Sequence, residues 1–157
     1  MKEDPIIYLA RAIKRIESGA VESDSGSHVE GIFIRVAGDF EKVVRSYLVR
    51  LLKTCGLNYE TEIRSTINGP GFNKLTLGKC IAAIEEASNL RPDRVASLVP
   101  GSWKLGDFLQ MLGRINDAWI PVKHRDGTGE VEPLIMLAQM KSMLTIYQVL
   151  PRRSGNI

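Results

Sequence analysis

Histidine and cysteine are scarce in this chain, with two of each among 157 residues. Cys55 and Cys80 have neither CxxC spacing nor a histidine-rich context. A zinc site therefore has too few ligands, and neither a metal nor a cofactor is expected. Both cysteines fall in apolar, helix-like runs, where a free thiol behaves as a small hydrophobe. That usage fits a reducing compartment such as the cytoplasm. Long apolar runs are also missing: no window reaches the roughly 18 residues of a membrane span. The opening MKEDPIIYLARAIKRIESG is broken by Arg11, Lys14 and Arg15, so it is not a signal peptide. A soluble, cytoplasmic protein without membrane contact is expected. A strong excess of one charge is absent too. With 21 basic and 18 acidic side chains the net charge is +3, short of the excess carried by a dedicated nucleic-acid binder. NGPGFNK lacks GxxxxGK[ST] spacing and no strand precedes it, which sets aside a phosphate loop.

What is present is helical periodicity, with no alternation of strand period to compete. Asp4 is a fair N-cap and Pro5 a first helical residue, followed by Ile6, Leu9, Ala10 and Ile13 at helix spacing. Gly19 is the stop. Residues 19–31 are small and polar and read as a flexible loop holding His28. From Ile32 a wide apolar stripe runs through Val36, Phe40, Val44, Leu48 and Leu51 to Cys55. Gly38 is a weak point that could divide this helix. Thr76 is a plausible N-cap for LGKCIAAIEEAS, and residues 88–102 read as a connection. The next helix covers SWKLGDFLQMLGRINDAWI, with Phe108, Leu112, Ile115, Asn116 and Trp119 on its inner face; Pro121 should end or kink it. A last helix over residues 130–150 is apolar enough to be buried on two sides, its Met136, Met140 and Met143 reading as core. Residues 151–157 are a tail. These elements predict one all-α domain over residues 1–157, an up-down bundle of four principal helices plus an N-terminal one.

The pattern resembles the HEPN superfamily, small helical bundles of prokaryotic toxin–antitoxin and defence systems. Three stretches over roughly residues 32–150 carry the likeness. DFEKVVRSYLVRLL is similar to the family's early long helix, with Glu41 and Arg45 four apart. KLTLGKCIAAIEEA is similar to a helix start common in its branches. INDAWIPVKH corresponds to the family's aliphatic–Asn–x–x–Arg–Asn–x–x–x–His run. The resemblance implies action on an RNA backbone at a dimer interface. The arginine stabilises charge on the phosphoryl oxygens and the histidine moves protons near neutral pH.

This chain departs from that pattern where it matters most. His124 fits the histidine and Ile115-Asn116 the start, but Trp119 stands where the family has its arginine. Indole offers one N–H donor and no charge. Arg114 lies upstream of the family's spacing; Lys123 and Arg125 flank His124. Two functions follow as expectations. One is a non-catalytic interaction module that dimerises or docks on a protein partner, with Lys123, Arg45, Asn116 and Trp119 as partner or RNA contacts. The other is a metal-independent endoribonuclease using His124 with Arg114, Arg125 or Arg45. Plain RNA binding is a third, weaker reading.

Overall fold

The computed structural model describes residues 4–19, 26–63, 71–101, 103–124 and 132–150; the side chains of residues 26, 27, 123 and 124 are outside that description. Six α-helices and no strand occur among the described residues: α1 (Pro5–Glu17), α2 (Gly26–Thr54), α3 (Leu77–Leu90), α4 (Pro92–Leu98), α5 (Leu105–His124) and α6 (Pro133–Val149). A π-helical turn at Tyr59–Ile63 and a 3-10 turn at Phe72–Lys74 lie between α2 and α3. The chain is all-α, as its periodicity predicts. None of its described helices is long and apolar enough to cross a membrane.

Local chemistry sets the helix ends. The Asp4 carboxylate accepts the Ile6 N–H at 2.8 Å ahead of Pro5, and Gly19 leaves α1 in the left-handed region at φ 79°. The Thr76 hydroxyl accepts the Lys79 N–H at 3.2 Å and starts α3.

Helix α2 differs from the expectation in two ways. It begins at Gly26, so His28 is an exposed residue of its first turns and not part of a loop. Val29 and Phe33 are fully buried; only Val29 extends the apolar stripe upstream of Ile32, and one side chain makes no period. The helix also passes through Gly38 unbroken for 29 residues, about 43 Å. A lone glycine weakens a helix by only ~1 kcal/mol, less than this buried face supplies.

Two further differences follow the same logic. Helix α4 sits inside the expected connection, with Pro92 at its first position and Val95 its one buried side chain, too little to show a pattern. Helix α5 continues through Pro121 to His124 instead of ending there. Buried Val122 anchors that last turn.

The apolar sequence of α6 predicts cover on two sides. Its core face is Met136, Met140, Met143, Ile146 and Tyr147. The other side is open, with Leu134 71% exposed and Ala138, Lys141 and Thr145 in solvent.

Particular contacts fix the helix directions. Arg35 lies over the Tyr8 ring at 3.7 Å and Lys141 pairs with Glu17 at 2.7 Å, which ties α1 to α2 and to α6. Phe33 meets Trp119 and Tyr47 meets Phe108, so α2 and α5 run antiparallel. Helices α2 and α3 run parallel: Glu41 touches Leu77, and Arg94, just beyond α3, reaches Thr54. That pair is the exception to up-down order.

Candidate functional site

One charged side chain among the described residues is buried, and it lies where the three family-like stretches meet. Glu41 shares a helical face with Ala37, Val44 and Leu48 and is 9% exposed. Its Oε2 accepts the backbone N–H of Leu77 at 2.9 Å and the indole Nε1–H of Trp119 at 3.3 Å. Its Oε1 lies 3.5 Å from Nη1 of Arg45, one turn along α2. The same Nη1 donates to the Leu75 carbonyl at 2.8 Å.

The first turn of α3 explains this convergence. A helix start presents N–H groups without partners inside the helix and a partial positive charge. Thr76 satisfies Lys79, and Glu41, from a different helix, satisfies Leu77. A carboxylate in that place is stabilised by the peptide dipoles and by real donors, which lets it be buried. Gly78 lets α5 come close: a Cβ there would stand 3.1 Å from Nδ2 of Asn116. Trp119 closes the corner, its ring edge-on to Phe33 with centroids 6.2 Å apart.

Arg45, Asn116 and Trp119 are thus brought together. Arg45 is part-buried and holds a carbonyl and a carboxylate of its own chain. Trp119 is 6% exposed and packs inward. Asn116 is half-buried between α3 and α5. Within the single chain these three stand at contacts between α2, α3 and α5.

Of the other candidates, Arg114 does not join them. Arg114 is exposed on α5, ten positions before His124. Helical rise separates their backbones by about 15 Å. His124 closes α5. Its side chain, that of Lys123, and Arg125 lie outside the described residues.

Glu41 is the residue that pattern reading underrated. The signal was a lone carboxylate on the apolar stripe, followed one turn later by arginine. Cys80 sits against this corner. Burial pushes its thiol up to about 12; Arg45 opposes that and Glu41 adds to it. A thiol so held is an inert core group. No group of three or more metal-ligating side chains occurs among the described residues.

Comparison with protein-family models, with curated proteins and with solved structures finds no match to this chain.

Proposed function

We propose that the chain is a non-catalytic, HEPN-like interaction and dimerisation module of a prokaryotic defence or toxin–antitoxin type of system. One observation carries the reading. At the position corresponding to the family's arginine stands a buried tryptophan, and its single donor is committed to Glu41. The nearest arginine of that corner, Arg45, is committed to the Leu75 carbonyl and to Glu41. Polar groups spent on holding helices together do not stabilise charge developing on a phosphoryl group. Exposed apolar surface at one end of the α5–α6 hairpin supports an interacting role: Ile120, Leu134 and Ile135 all face water there.

The test is incubation of unstructured RNA with the purified chain and with His124→Ala, without divalent metal, alongside light scattering for oligomeric state. Intact RNA with both proteins, and a dimer or higher species, is the expected result. Cleavage that disappears in His124→Ala overturns the reading in favour of a metal-independent endoribonuclease pairing His124 with a non-standard arginine.

A further inference from the structure

The opposite end of the α2–α3 pair has a different character. Helix α2 ends at Thr54 and α3 at Leu90, side by side because the helices are parallel. Arg94 reaches across with Nη1 3.5 Å from the Thr54 carbonyl, and Arg91 folds onto the Leu90 carbonyl at 2.9 Å. Lys53 precedes Thr54 and is exposed, as are Arg91 and Arg94. Residues 49–54 and 90–94 hold Arg50, Lys53, Arg91 and Arg94 against one carboxylate, Asp93. Arg50 is half-buried and already engaged, so the other three carry the accessible charge.

Two helix C-termini attract cations, and part of this charge answers them. They do not account for the apolar groups standing beside it. Val49, one turn before Lys53 on the same face of α2, is 40% exposed, and Leu90, next to Arg91, is 37% exposed. The corner thus combines guanidinium and ammonium groups with open aliphatic surface.

We infer that this corner, formed by Val49, Lys53, Leu90, Arg91 and Arg94, docks an acidic segment of a protein partner that also carries aliphatic side chains. The inference rests on the interaction-module reading and gives it a surface and a partner chemistry. Charge complementarity fixes the sign of the occupant. The exposed aliphatics favour protein over single-stranded RNA. Strand binding uses open aromatic rings as stacking platforms, and the exposed large apolar side chains among the described residues are all aliphatic.

The experiment uses the full chain and two labelled probes read by fluorescence anisotropy: a short peptide alternating glutamate and leucine, and a uridine oligonucleotide of the same net charge. The peptide should bind. Arg91→Glu with Arg94→Glu should weaken it at least about tenfold, and Leu90→Ser by about threefold or more. Arg91→Lys with Arg94→Lys should retain most of the binding. Lys14→Glu with Arg15→Glu on α1, which changes net charge equally, should leave it unchanged. Melting curves check that each variant is folded. The proposal is overturned if the peptide does not bind, if the α1 variant weakens it as much as the corner variant, or if the oligonucleotide binds more tightly at the same residues. Cleavage of the oligonucleotide would count against the non-catalytic reading alone. Intact oligonucleotide with corner-independent peptide binding counts against the corner alone.

Discussion

The two ends of the α2–α3 pair hold charge in opposite ways. Where α3 begins, Glu41 is buried and its oxygens meet a backbone N–H, an indole N–H and a guanidinium. Where both helices end, Lys53, Arg91 and Arg94 are exposed, and Arg91 and Arg94 meet only backbone carbonyls, at 2.9 and 3.5 Å. Helix polarity sets the sign at each end: anions suit the N-terminus and cations the C-terminus. Burial sets the consequence. A carboxylate with its donors in place joins three helices, whereas solvated cations add little to the fold and stay available to something else.

Substitution at the buried end should give the largest effect. Glu41→Leu leaves the Leu77 N–H and the Trp119 indole N–H without their carboxylate and removes the anion beside part-buried Arg45. Breaking a buried pair of this kind costs about 3–5 kcal/mol. Urea unfolding should show that loss, and a cost below about 1 kcal/mol would mean the corner is not structural.

High pH should act next, at Cys80 beside Glu41 and at Tyr47 nearer Cys55 and Arg50. The Cys80 thiol is held at about 12 against an ordinary value of 9.0, and the Tyr47 hydroxyl, raised chiefly by burial, at about 12 against 10.0. Each folded-state value lies above its unfolded one. The stabilisation is therefore complete below pH 9 and is lost as pH climbs from about 9 to about 12. Cys55, at the other end, is also raised by burial, but Arg94 and Arg91 oppose the rise. Alkylation at mildly alkaline pH should modify Cys55 before Cys80. The reverse order would invert the comparison.

Trp119→Phe sharpens the buried end further. It keeps a ring against Phe33, removes the donor to Glu41 and reduces the buried aromatic surface. A hydrogen bond to a charged group contributes about 1.5–3 kcal/mol, so the free energy of unfolding in denaturant should fall by about that much and by less than for Glu41→Leu. Between the ends, Gly38→Ala is expected to stabilise the chain by about 0.5–1 kcal/mol in thermal melts. A Cβ there would meet nothing within 4 Å.

The buried end was half legible in the sequence. Glu41 with Arg45, the LTLG start and INDAW each stood out, and Asp4 and Thr76 cap the helices where their side chains predict. What periodicity could not supply was their meeting. A period reports which face of one helix is buried, not which helix covers it, so Trp119 Nε1 reaching Glu41 across 78 positions was out of reach. Helix α4 was missed because a single buried Val95 makes no pattern. The uneven coverage of α6 was missed because Leu134 and Met136 are equally apolar, and only packing decides which is covered.

At the exposed end, Arg94→Ala should change stability by no more than about 0.5 kcal/mol. Its guanidinium is in solvent and its contact with the Thr54 carbonyl is long, at 3.5 Å. Thermal melts of Arg94→Ala and Trp119→Phe, run side by side, measure the contrast directly. A loss at Arg94 matching that at Trp119 would show that the cation caps α2 as firmly as Glu41 caps α3, and the exposed end would then be as structural as the buried one. A near-zero effect leaves Arg94 with no duty in the fold that its charge would explain. Surface arginines are costly to order, and one that the fold does not use is free to meet an incoming carboxylate without loss of stability.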